Sequence, residues 1–145
     1  MSEVSICAKS LAAALRVVSP SVANAKTRRL KPALGCVRLA GCGHGLLAVI
    51  ADNLDTRTAA RVEHPGGPSV TLGDCAVDYA RLRDALKGVS GMVGLTARDD
   101  GAGVVLQTVT ATVELPGAPV AEFPADRMPA ASSPSVTIPA AEWRA

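Results

Sequence analysis

Five groups of residues in this sequence have types and spacing that could do chemistry. Cys36, Cys42 and His44 are soft ligands close together, with Cys7 and Cys75 farther off. A zinc centre needs closely spaced ligand pairs, and no second pair follows these, so small buried thiols and a turn histidine are the favoured reading. Nucleophilic catalysis needs a serine, a histidine and a carboxylate held at hydrogen-bond distance. No Gly-x-Ser-x-Gly elbow is present, and His44 and His64 both lie in glycine-rich stretches that hold a general base poorly. Gly41, Gly43 and Gly45 have the wrong spacing for a phosphate-cradling loop and read as a turn. Asp52 with Asp55, and Asp99 with Asp100, offer too few oxygens for a calcium or magnesium site. No catalytic residue, metal site or cofactor is expected, and the chain is read as non-enzymatic. The fifth group is Lys26-Thr27-Arg28-Arg29-Leu30-Lys31, four cations in six residues. Such a cluster is an electrostatic footprint for a polyanion, and a solvated loop is its competing reading.

Charge along the chain sharpens the point. Residues 1–51 carry seven bases against Glu3 alone, a net +6, while residues 52–145 carry eight bases against twelve acids, a net −4. Composition sets the class. The chain has 145 residues, enough for one domain, with 48% hydrophobic and 19% charged residues, which excludes a disordered protein. Tyr79, Phe123 and Trp143 are the only aromatics, which argues against stacking of single-stranded bases. Apolar runs such as Leu46–Ala51 are too short for a bilayer, and Met1-Ser2-Glu3 lacks a signal-peptide layout. A cytoplasmic protein with four reduced thiols and no membrane contact is expected.

The elements that must position the basic cluster can be read from periodicity. Val4–Cys7 is a short strand. Ser10 caps a helix over Leu11–Val18, with Leu11, Ala14, Leu15 and Val18 on one face. Residues 19–32 read as a polar, basic loop closed by Pro32. Strands follow at Ala33–Ala40, Leu46–Ala51, Thr56–Glu63 and Ser69–Leu72, with Gly73–Val77 resembling an insertion. Asp78 caps a second helix whose stripe is Tyr79, Leu82 and Leu86, and Gly88 ends it. Strands at Met92–Ala97, Gly103–Gln107 and Val109–Glu114 close the unit, with Asp99-Asp100-Gly101 as a turn. The order β-α-β-β-β occurs twice. It predicts an α+β fold with both helices on one side of antiparallel sheets, on a shared face carrying Arg16 and Arg81.

With that repeat in place, the chain resembles the N-terminal domain of the bacterial sliding clamp, the β subunit of DNA polymerase III, over most of residues 4–124. The first helix ends in Val18-Ser19. A basic loop runs into Pro32-Ala33-Leu34-Gly35. Ala51-Asp52-Asn53-Leu54-Asp55 is similar to the family's Asp-Leu-Glu corner and is followed by Ala60-Arg61-Val62. Leu115-Pro116 with Glu122-Phe123-Pro124 is similar to its Leu-Pro…Phe-Pro exit. Val136-Thr137-Ile138-Pro139 with Trp143 resembles the start of the family's second domain. The resemblance implies a clamp-type N-terminal domain over residues 1–128, then a linker (Ala130–Pro134 at its centre) and the start of a truncated second domain over residues 129–145.

The resemblance also implies a structural DNA-binding protein. The family's clamps are head-to-tail dimers of three similar domains, forming a ring whose inner helices present positive charge to duplex phosphates. Carried over by position, Arg28 matches the family's DNA-contacting arginine after the first helix. Arg29 is adjacent, Lys26 and Lys31 add attraction, and Arg81 falls near a second basic position. Arg16 comes from the helix face alone. The implied partners are double-stranded DNA and, at family level, the replicative polymerase and clamp loader, whose peptide pocket lies in the family's later domains. Self-association is a further expectation, on Val109–Val113 and the second helix, though Thr108–Thr112 carries neither the aromatic nor the basic residues often found there. The alternative is a truncated interaction module that modulates a full clamp or its loader without encircling DNA.

Overall fold

Alternating Val, Leu and Ala on short segments favour strands whose buried faces meet in one core. The computed structural model describes residues 3–43, 45–65, 72–124 and 139. Its elements are β1 (Glu3–Cys7), α1 (Ala8–Val18), α2 (Ala25–Leu30), β2 (Cys36–Gly43), β3 (Leu46–Asp52), β4 (Arg57–Glu63), β5 (Cys75–Asp78), α3 (Tyr79–Leu86), β6 (Met92–Ala97), β7 (Gly103–Gln107) and β8 (Thr112–Pro116). Single 3-10 turns occupy Ser19–Ser21, Pro32–Gly35 and Val120–Glu122. The expected linker, the expected opening strand Val136–Ile138, Trp143 and His44 lie outside the described residues.

All pairing is antiparallel, in two four-stranded sheets ordered β1-β6-β7-β8 and β4-β3-β2-β5. The repeated β-α-β-β-β order therefore holds, with an exchange. The first strand of each half completes the sheet of the other half. β5 closes against the far sheet through Ala76 N–H to the Gly101 carbonyl at 3.0 Å. Nearby, Gly117 lies so close to the Ala76 carbonyl that no side chain could stand there.

α1 packs across β3 and β4, and α3 packs on β5 and β8. Leu11, Leu15 and Val18 of α1 and Leu82 and Leu86 of α3 join Val4, Ile6, Leu39, Leu47, Leu95 and Leu106 in one core. At about 1.5–3 kcal/mol per buried side chain of this size, that core is the main driving force for the fold.

Five expected elements need correction. α1 begins at Ala8, because Cys7 is the last extended residue and the Ala8 N–H is satisfied by the Gly91 carbonyl at 2.9 Å; no Ser10 cap is needed. Residues 25–30 are a helix within the expected loop. The Asn24 side chain caps it, accepting from Thr27 N–H at 3.0 Å. Leu72 is buried but outside any strand, and β5 lies at Cys75–Asp78, so the stretch read as an insertion is largely core strand; Ser69, Val70 and Thr71 are outside the described residues. The last strand starts at Thr112, because Thr108 and Ala111 close a turn: Thr108 N–H donates to the Ala111 carbonyl and Ala111 N–H donates to Thr108 Oγ1. At β2, the expected strand start Ala33–Gly35 is a 3-10 turn, and the strand runs on through a register shift between Gly41 and Gly43.

Candidate nucleic-acid interface

The basic cluster becomes a surface because Asn24 starts a helix there. α2 carries Lys26, Arg28 and Arg29, and Lys31 follows at its C-terminal cap. Basic residues in a last turn also suit the helix dipole. Lys26, Arg29 and Lys31 are exposed, and Arg28 is half-buried. Arg28 lies across Gly35, where a Cβ would fall on its Cδ and within 2.5 Å of its Cγ. The absence of a side chain at Gly35 thus shapes the bed on which this arginine rests.

Arg81 is exposed in the first turn of α3, whose start is fixed by the Asp78 carboxylate accepting from Arg81 N–H at 3.1 Å. Register connects it to α2. Cys36, the residue after Gly35, pairs with Asp78, so Arg28 and Arg81 belong to the same end of that sheet. Arg16 is exposed in the last turn of α1 and lines a groove between α1 and α3 together with Arg83 and Lys87; Arg81 does not line it. The expectation of a shared helix face is met by Arg16, with Arg83 in the place expected for Arg81.

Among the described residues, none of Arg16, Lys26, Arg28, Arg29, Lys31 and Arg81 forms an ion pair. Other cations do: Arg38 with Asp74 at 2.8 Å, Arg57 with Asp52 at 2.8 Å, and Arg83 and Lys87 with Asp84 at 3.2 and 3.3 Å. Hydrogen bonds from Arg83 and Lys87 hold the Asp84 carboxyl below the usual carboxylate range.

The Asp52 corner supports the scaffold. Its carboxylate is fully buried, accepting from Leu54 N–H at 2.7 Å and from Arg57 Nε at 2.8 Å. Arg57 Nη2 donates to the Pro124 carbonyl at 2.7 Å. The Asp-containing corner and the Phe-Pro exit are thus tied together by one arginine. Leu54 takes a positive φ of 76° there, a conformation uncommon outside glycine.

Cys7, Cys36 and Cys75 are free thiols. Burial pushes the Cys36 thiol up to about 11 and the Cys75 thiol up to about 12, while backbone N–H donation from Ser10 lowers Cys7. Among the described residues no cluster of His, Cys, Asp or Glu could hold a metal ion, and no helix is long and apolar enough to cross a membrane.

Two antiparallel sheets built from a repeated β-α-β-β-β unit, with α1 and α3 packed together beside them, define the fold of a single sliding-clamp domain. Solved structures make the likeness specific. The DNA polymerase III subunit beta from Pseudomonas aeruginosa superposes with a TM-score of 0.73 at 18% identity, covering 90% of this chain and 33% of that one. The DNA polymerase sliding clamp from Caulobacter crescentus gives 0.74 at 21%, covering 90% and 34%. The H. pylori beta clamp gives 0.72 at 15%, covering 87% and 32%. The chain spans about a third of the length of these clamps, and at such identities the likeness is one of fold. No protein-family profile matches the chain, and no curated protein matches it.

Proposed function

We propose that this chain is a non-enzymatic, clamp-type DNA-binding module of bacterial replication, the N-terminal domain of a sliding-clamp-like processivity factor. One observation carries the reading: on a clamp-domain fold, α2 and its cap gather four cations that no carboxylate neutralises among the described residues. Arg28 and Arg29 are assigned the main phosphate contacts, Lys26 and Lys31 the surrounding attraction, and Arg81 and Arg16 the extension onto α3 and α1. Phosphate attraction is independent of sequence and permits sliding. In a ring, topology would hold the duplex, so a single domain needs little affinity. The polymerase and clamp loader follow as partners by the same likeness, in the cytoplasm.

The test is fluorescence anisotropy of a labelled duplex over a salt series. Replacing Arg28 and Arg29 with alanine should weaken binding and make the slope of log affinity on log salt shallower by about 2. An unchanged affinity and slope would remove both residues from the interface.

A second reading, an interaction module that does not encircle DNA, is favoured by the open β8 edge, where Val113 is exposed, and by the turn leading into it, where Val109 is 96% exposed. Light scattering over a concentration series, with and without duplex, separates the two. Six copies would rebuild a six-domain ring; a monomer that stays monomeric with DNA favours the second reading.

A further inference from the structure

The groove between α1 and α3 has a floor that duplex binding does not need. Ala12 and Leu15 of α1 and Tyr79 and Leu86 of α3 line a hollow of about 410 Å³. That is the low end of the range for small-ligand sites. Leu15 and Leu86 are buried, so the floor is backed by the core, and Ala12 and Tyr79 are half-exposed at its mouth. The rim is cationic on both long sides. Lys9 and Arg16 stand two turns apart on α1, about 10 Å along the axis, and Arg83 and Lys87 stand one turn apart on α3. Asp84 is shared by Arg83 and Lys87 and does not line the groove. The Arg83 guanidinium also sits 5.5 Å above the Tyr79 ring, which lines the groove.

Phosphates would touch the cation tips and leave the apolar floor in water. A ligand that used the whole site would place an apolar side chain on the floor and carboxylates against both rows of cations. We infer that the α1–α3 groove is a docking site for an acidic peptide segment carrying a bulky apolar anchor, a partner class distinct from duplex DNA and independent of whether α2 binds DNA. Arg16 belongs to both surfaces, so the peptide and a duplex would compete for it.

The probe is a fluorescein-labelled decapeptide of glutamates around a central Leu-Phe pair, titrated with the full chain at about 150 mM salt, near physiological strength. One comparator replaces Leu-Phe with Ser-Ser and another replaces every Glu with Gln. Saturable binding of the first peptide, at least tenfold tighter than either comparator, is the expected result. Ala12→Trp, which fills the mouth, and Lys9→Glu, a surface change with little bearing on folding, should each weaken it at least tenfold while circular dichroism melting stays unchanged. Absence of saturation would overturn the assignment. So would equal binding of the Ser-Ser peptide, or insensitivity to both substitutions. A labelled duplex that lost as much affinity to Ala12→Trp as the peptide did would assign the groove to nucleic acid and overturn it too.

Discussion

The two halves of this molecule share an architecture and differ in one connection. In the first, α1 is followed by residues 19–35, which hold two 3-10 turns and the basic helix α2, before β2 begins. In the second, α3 passes through Lys87-Gly88-Val89-Ser90-Gly91 directly to β6. Gly88 and Gly91 take positive φ, 74° and 80°, which is what so short a reversal requires. The framework is thus built twice, while the concentrated charge is built once, in the longer connection. The scaffold and the main proposed phosphate contacts occupy separable pieces of sequence.

The corners contrast in the same way, and the largest expected effect lies there. The β3–β4 corner depends on a buried carboxylate, whereas the β7–β8 turn depends on an exposed threonine hydroxyl. Asp52→Ala leaves Arg57 without its buried partner and should cost about 3–5 kcal/mol of unfolding free energy in urea. Thr108→Ala should cost only about 0.5–1.5 kcal/mol. Equal losses would erase the distinction between the halves.

A smaller effect should separate charge from scaffold. Gly35→Ala displaces the half-exposed Arg28 side chain, which can swing aside, so stability should change by only about 0.5 kcal/mol. Duplex affinity should fall toward that of Arg28→Ala, and adding Gly35→Ala to Arg28→Ala should change little more. Full losses that add would show that Gly35 acts elsewhere. If neither substitution alters binding, the DNA reading itself fails.

The smallest effect is a rate. Cys7 ends β1 and Cys75 opens β5, the matching first strands of the two halves. The lowered Cys7 value means that its thiolate forms at lower pH than an ordinary thiol's, so its alkylation rises earlier with pH. Cys75 and Cys36, pushed up to about 12 and about 11, stay protonated. Iodoacetamide at about pH 8 should modify Cys7 first of these three, read by peptide mass mapping.

Much of the framework was legible in residues. The Tyr79, Leu82, Leu86 stripe between Asp78 and Gly88 gave α3, alternation gave β4, and short apolar runs between turn residues gave β3, β6 and β7. α2 was hidden because Lys26 to Lys31 has no apolar stripe; Asn24 was the signal that could have found it. β8 slipped because the Thr-Val alternation from Thr108 to Val113 fits more than one start, and Thr108's turn hydrogen bonds decided between them. The basic cluster was visible as charge. Its support by Gly35 and the Arg57 link between Asp52 and Pro124 depend on contacts distant in sequence, which no local pattern announces. The exchange of first strands is likewise a matter of topology.

That exchange has a consequence during synthesis. β1 leaves the ribosome before its partner β6, which follows roughly ninety residues later (Glu3 pairs with Thr96), a wait of about 5–20 s at ordinary translation speed. Through that interval β1 carries unpaired backbone groups and two apolar side chains, Val4 and Ile6, without the strand it pairs with. The nascent chain must shelter β1 until β6 arrives.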